Sequence, residues 1–444
     1  MYADFNIWIT LVVIAVVMGA VQGACAYLVL LERKIAAWTQ DRIGPNRVGP
    51  LGLLQPIADG LKFVFKEQII PGKVDKVFYL VAPVISMTAA LMAFVVVPFG
   101  RTSAPPTHHD WPQTVQEQEA RDKDHAYTDE LAAYNRPGQA NFNDWGWFDE
   151  VQWVVAPHVD VGVVLVFAIG SLAVYAVILG GWSSNSKYSF LGALRSSAQL
   201  ISYEIPLGLS VLGVFYVTGS LNLERIIEYQ HTHGWNFLFQ PVAALLFAVS
   251  VFAECARLPF DLPETEQELV GGYHTEYTGM KLALFLLAEY VHMITTSLLV
   301  VTLFFGGWEL PWLAVPAVPA VPDNGGTIVV KLIVLSVKMF LFIVFYQLVR
   351  WTVPRFRFDQ LMGLAWKVLM PLALFNVVVV LCVRQFHPFG PYSDWLTLPI
   401  TVAALIAFAA FSATLPRSPT RVRTVYRGHG AEQLEMGANR VMSP

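Results

Sequence analysis

Long apolar runs alternate with short polar stretches along this chain, and the runs have the length of membrane crossings. A bilayer core about 30 Å thick takes about 20 apolar residues in a helix. Nine stretches meet or approach that length. Ile7–Leu31, Val77–Phe99, Val161–Trp182 and Leu396–Leu415 carry no charge. Phe237–Ala253 is charge-free and ends at Glu254, and Val368–Val383 lies between Lys367 and Arg384. Three runs contain charges: Ala198–Thr218 holds Glu204, Leu282–Phe305 holds Glu289 and His292, and Ile328–Val349 holds Lys331 and Lys338. The pattern predicts an all-α, polytopic membrane helix bundle of about nine transmembrane helices. The first run is too long for a signal-peptide core and lacks a basic leader or small-residue cleavage site, so it reads as a retained helix.

The polar stretches set the orientation. Lys and Arg concentrate on the inner side of membrane proteins. With the N-terminus outside, the inner segments 32–76, 182–204, 257–281, 350–367 and 416–444 hold 21 of the 29 Lys and Arg, and the outer ones hold 7. The C-terminus is then inside, on a basic tail at 416–444. Two regions do not fit a span. In Pro50–Glu67, after Gly-Pro pairs at 44–45 and 49–50, Leu51, Leu54, Ile57, Ala58, Leu61 and Val64 recur at helical spacing opposite Gln55, Asp59, Lys62 and Lys66. That pattern predicts an amphipathic helix in the membrane interface. Residues 101–158 form a polar outer-face insertion between spans 2 and 3, within one membrane domain covering 1–444.

Composition agrees with this picture and narrows it. The chain is 55% hydrophobic and 14% charged, against roughly 25% charged in soluble domains. Intrinsic disorder needs the opposite balance. The net charge of −4 gives no reason to expect nucleic-acid binding. That charge is unevenly placed: the insertion carries ten acids and four bases, leaving the remainder mildly basic. Cys25, Cys255 and Cys382 lie far apart, whereas iron–sulfur and structural zinc sites draw on about four grouped ligands. His108, His109, His125 and His158 in the insertion match no compact metal-ligand spacing, so no metal site is expected. No phosphate loop, dinucleotide fingerprint or H-E-x-x-H motif occurs. The chain is not expected to carry electrons itself.

Charges inside a membrane are expensive and by default mark a functional path. Glu204, Glu289 and Lys338 fall in that class. The inner loop from Glu254 to Tyr277 is the densest acidic feature. It holds Glu254, Asp261, Glu264, Glu266, Glu268 and Glu276, with Arg257 as its one Lys or Arg. Pro259 and Pro263 prevent a regular helix through its middle. Crowded carboxylates share protons through coupled titration. Glu32, Arg33 and Lys34 at the end of the first run, and Arg350, Arg355, Arg357 and Lys367 around the seventh and eighth, read first as positive-inside anchors.

Several blocks resemble a known family. They are E-R-K at Glu32–Lys34, Q-D-R-I-G-P-N-R-V-G-P-L-G-L-L-Q-P-I-A-D-G-L-K at Gln40–Lys62 and G-W-S-S-N-S-K-Y-S-F-L-G-A-L-R at Gly181–Arg195. A-Q-L-I-S-Y-E at Ala198–Glu204, R-L-P-F-D-L-P-E-T-E-Q-E-L-V-G-G-Y-H-T-E-Y at Arg257–Tyr277 and P-R-F-R-F-D-Q-L-M at Pro354–Met362 continue the series. Together they are similar to the H-type membrane subunit of proton-pumping NADH:quinone oxidoreductase, respiratory complex I, whose mitochondrial counterpart is NADH dehydrogenase subunit 1. The resemblance implies a quinone-channel and energy-coupling subunit that links quinone reduction in the peripheral arm to proton translocation in the membrane arm. Arg33, Arg42 and Asp59 would line the quinone channel. Glu254, Arg257, Asp261, Glu264, Glu266, Glu268 and Glu276 would form the acidic loop, and Glu204, Glu289 and Lys338 the intramembrane charges. FMN and iron–sulfur clusters would sit on other subunits, with none bound here, and quinone would be the substrate of the complex. Partners would be peripheral-arm quinone-site subunits, antiporter-like membrane subunits and the lipid bilayer of an energy-transducing membrane, the bacterial plasma (inner) membrane. A related hydrogenase or other donor-linked dehydrogenase would use a similar subunit, and a stand-alone ion transporter would also need buried charges. The chain departs from the family in its 101–158 insertion, in its ninth span, and in Ala256, where the family often has Asn before the arginine.

Overall fold

In a computed structural model, the described residues are 7–98, 159, 161–262, 270–310, 325–386 and a few positions between 399 and 406. The chain divides into two units. Residues 402–444 are one, of which Val402, Ala403 and Ile406 are described, all helical. Residues 1–401 hold the bundle. The insertion, the ninth span and the basic tail lie almost wholly outside the described residues, as do Glu264, Glu266 and Glu268.

The described chain is all-helical. Helix α1 spans Ile7–Thr39, α2 Gln55–Phe65 and α3 Lys76–Met92. Then come α4 at Gly162–Ser183, α5 at Lys187–Thr218, α6 at Leu223–His233 and α7 at Pro241–Glu254. Helices α8 (Gly279–Phe304), α9 (Gly325–Thr352), α10 (Phe358–Leu364) and α11 (Met370–Phe386) complete the unit. A π turn at Ala365–Leu369 joins α10 to α11, so the two run as one crossing. Among the described residues, seven helices are long and apolar enough to cross a membrane.

The seven include every expected span from the first to the eighth except the fifth. Helix α7 has 14 residues, about 21 Å at 1.5 Å per residue. It is preceded by a single turn at Asn236–Phe239, and it stops where its sequence meets Glu254. Helix α5 starts 11 residues before the expected Ala198. Its first turns are polar but small: Ser189, Gly192, Ala193, Ser196 and Ser197 are all buried. Such residues let helices approach closely without needing an apolar bulk. At Gly192 a Cβ would stand 2.6 Å from Gly272 Cα, so only glycine admits the 270–277 loop there. Gly219, at φ +72, ends α5 in the left-handed conformation that glycine adopts freely.

Helix α8 is the axis of the bundle. Every residue from Met293 to Phe304 is buried, as expected of a helix apolar on all sides. Helices α1, α3, α7 and α9 pack against it, while α5 packs on α4, α7 and α11. The loop before α8 is tied down by tyrosines. Tyr79 of α3 and Tyr277 stack with ring centroids 4.3 Å apart, and the Tyr79 hydroxyl donates to the Glu276 carbonyl at 2.6 Å. Burial raises the Tyr277 phenol above its ordinary range, which keeps it protonated as a donor. Helix α2 has no buried residue; Ile57, Leu61, Val64 and Phe65 are exposed, as the amphipathic pattern predicts.

Candidate functional site: a buried charge cluster and its cavity

Three elements converge where α7 ends. The main chain turns sharply after Glu254, and Ala256 sits at φ +47. That left-handed conformation costs a non-glycine residue roughly 1–2 kcal/mol, and Asn is among the residues that tolerate it. The turn is held from α5 by Gln199, whose side-chain amide donates to the carbonyls of Ala253 and Phe260 at 2.7 Å each. Arg257 is thereby turned into the protein, with only 7% of its side chain exposed.

Arg257 lies between two carboxylates from different helices. Its guanidinium is 3.8 Å from Glu32 of α1 and 4.0 Å from Glu289 of α8. It also sits over the Tyr290 ring at 4.2 Å. Glu32 in turn pairs with Arg350 of α9 and accepts a hydrogen bond from the Tyr290 hydroxyl at 2.8 Å. Glu289 accepts from the Tyr273 hydroxyl at 3.3 Å and lies 3.9 Å from the His274 imidazole. Among the described residues, two arginines and two carboxylates therefore form a buried set of balanced formal charge. Its neutrality matters, because an isolated buried charge costs several kcal/mol.

Glu289 also opens onto a cavity of about 70 Å³. A buried water needs roughly 10–15 Å³ by the same measure, so the space suits several waters. Its acidic and basic lining is Glu204, Glu254, Glu289 and His292, with Ser86, Ser171 and Ser196 as further polar groups. Glu254 Oε1 is 3.2 Å from His292 Nε2. Three carboxyls and an imidazole therefore share this space, and Glu289 also belongs to the Arg257–Glu32–Arg350 set.

The residues expected from the sequence are distributed as follows. Glu204, Glu254, Glu289 and Arg257 come together in this region. Asp261 is buried and paired at 3.1 Å with Arg355. Glu276 supplies its carbonyl to Tyr79. Arg33 and Asp59 form an exposed ion pair at 2.6 Å between α1 and α2, and Arg42 is exposed, bonded to Gln40 at 2.7 Å. Lys338 has other partners: its ammonium donates to the carbonyls of Phe305, Gly307 and Glu309 at 2.5–2.9 Å. There it caps the C-terminal end of α8, where a helix favours a cation. Glu32, Arg350, His274, Tyr290 and His292 join the site without having been expected there from the sequence. Among the described residues, no group of three or more His, Cys, Asp or Glu could hold a metal ion.

Fold and site together define a multi-pass membrane protein with a buried cluster of ion pairs beside a cavity that carries acidic side chains. Residues 10–381 match the family model described as NADH dehydrogenase. The H subunit of NADH-quinone oxidoreductase from Deinococcus radiodurans is 42% identical over 413 residues, 91% of each chain. Subunit 8 of the same enzyme from Thermus thermophilus is 42% identical over 367 residues, 83% of this chain and 84% of that one. The H subunit from Leptospira biflexa is 44% identical over 355 residues, 80% of this chain and 88% of that one. The chain belongs to the family of NADH-quinone oxidoreductase H subunits and is a membrane subunit of that enzyme.

Proposed function

We propose that this chain forms the membrane-side wall of the quinone channel and couples quinone reduction to proton translocation. The observation that carries this reading is the series of buried ion pairs from Arg350 and Glu32, through Arg257, to Glu289, which lines the same cavity as Glu204 and Glu254. Reducing a quinone draws in protons and changes the local charge. A near-neutral chain of ion pairs passes such a change onward, because shifting one member alters the balance at the next. Arg33, Arg42 and Asp59, at the α1–α2 end, would line the channel. Asp261, Glu264, Glu266, Glu268 and Glu276 would form the acidic loop beneath it. FMN and iron–sulfur clusters would belong to other subunits, and the peripheral-arm quinone-site and antiporter-like subunits would be the neighbours. The site would face the inner side of a bacterial plasma membrane, with the N-terminus outside.

Glu204→Gln and Glu264→Gln test this. Both variants should assemble and should lower quinone-linked NADH oxidation. Normal coupled turnover in both would overturn the reading.

A further inference from the structure

Resting on the coupling role of the cavity, we propose that His292 is a proton-exchanging residue that works as a pair with Glu254. His292 lies three residues after Glu289 on α8, so the two project to one side of the helix. Its Nε2 is 3.2 Å from Glu254 Oε1, and both side chains are largely buried. The pair lines the main cavity and also a smaller one bounded by Phe247, Thr295, Thr296 and Leu299. His292 and Glu254 thus stand at the junction of two interior spaces. Opposite them α4 presents Gly170, where a Cβ would lie 3.5 Å from Glu254 Oε1 and 3.9 Å from His292 Cε1.

The titratable groups around the imidazole come from several elements. Helix α7 brings Glu254, α5 brings Glu204, and α8 itself brings Glu289. The segments beyond α7 add Cys255 and Tyr273, and α9 places the Tyr346 hydroxyl 3.8 Å from Cys255 Sγ. Glu32 of α1 reaches this group through Arg257. Helices α3 and α4 line the cavity with nothing that titrates.

Imidazole differs from the surrounding carboxyls because it changes charge near neutral pH and has two ring nitrogens. When Glu254 is a carboxylic acid, its O–H can pass to His292 Nε2, leaving a carboxylate and an imidazolium. The imidazolium then gives the proton on its other nitrogen, through water in the cavity, to the carboxylate of Glu204 or Glu289 and returns to neutral. One proton has crossed the ring, and no electron has moved. A residue that merely holds Glu254 in place would need only the hydrogen bond.

His292→Gln separates the two roles, since an amide can still bond to Glu254 but cannot titrate. In the assembled complex, quinone-linked NADH oxidation should fall about tenfold, below the roughly 10²–10⁴-fold of a single essential acid–base group. The shape of the pH profile of turnover should change. NADH oxidation by an artificial acceptor should not change. Wild-type turnover with a wild-type pH profile would overturn the proposal. Glu204→Gln and Glu254→Gln are measured alongside. If they slow turnover and His292→Gln does not, the role of His292 falls and the coupling role stands. If all three are silent, both fall. Should His292→Gln prevent assembly, Gly170→Val keeps the imidazole and fills the space facing the pair. Slower turnover with the wild-type shape of the pH profile then supports the proposal, and unchanged turnover overturns it.

Discussion

Glu32→Gln is the most informative single change in the buried charge cluster. The carboxylate faces Arg350 and, at 3.8 Å, Arg257, and only 12% of its side chain is exposed. The amide keeps the shape and can still accept from Tyr290, so packing is conserved while one negative charge is lost. The two guanidinium groups are then left with one buried carboxylate fewer to balance them. At an effective dielectric of about 20, a pair near 4 Å is worth about 4 kcal/mol. Glu32 makes two such pairs, and relaxation and water entry recover part of the loss. A net destabilisation of about 3–5 kcal/mol follows, the range for breaking a buried pair from one side. The assay is thermal inactivation of the purified complex, followed by NADH-linked quinone reduction. Arg350→Met in the same chain restores neutrality, so the double variant should be more stable than the sum of the single losses by about 1–3 kcal/mol. A Glu32→Gln complex within about 1 kcal/mol of wild type, or strictly additive losses, would refute the idea that these residues act as one balanced unit.

Other expectations concern backbone and packing. Ala256→Gly removes the Cβ from a left-handed position and should stabilise the complex by about 1 kcal/mol, read as a rise in its inactivation temperature. Gly192→Ala forces a Cβ against Gly272 Cα and should push Tyr273 and His274 off Glu289. Displacements of about 1 Å near chemistry cost up to roughly 10²-fold, so quinone-linked turnover should fall at least about tenfold in steady-state assays. Lys338→Met leaves three carbonyls beyond α8 without their donor. It should destabilise by about 2 kcal/mol and speed proteolysis around residues 305–310.

Much of the fold is legible in the sequence because apolar run length speaks directly to membrane crossing. Where the structure differs, a local rule gives way to packing. The early turns of α5 are polar by composition, yet serine and glycine bury well against a neighbouring loop, so the helix extends back to Lys187. Helix α7 is shorter than a span, and its shortness delivers Glu254 into the interior. Glu204, Glu289, Glu254 and Arg257 are legible because a charge in or beside an apolar run is conspicuous. Glu32 is not. It sits beside Arg33 and Lys34 at the end of a span, which reads as ordinary anchoring. Its partners Tyr290 and Arg350 lie 258 and 318 residues away along the chain. No local pattern encodes such a meeting; it requires α1, α8 and α9 to be packed together. His292 carries a signal, a second ionisable residue one turn after Glu289, but its carboxylate partner becomes visible only in three dimensions.

In the proposed function, the cavity carboxylates couple quinone reduction to proton movement. Sealed membrane vesicles carrying the Glu204→Gln complex test this when the rate of NADH-linked quinone reduction and the rate of proton translocation are each measured. Quinone reduction and proton translocation should fall together, while NADH oxidation by an artificial acceptor persists. Wild-type quinone turnover with a wild-type proton yield per NADH would contradict it.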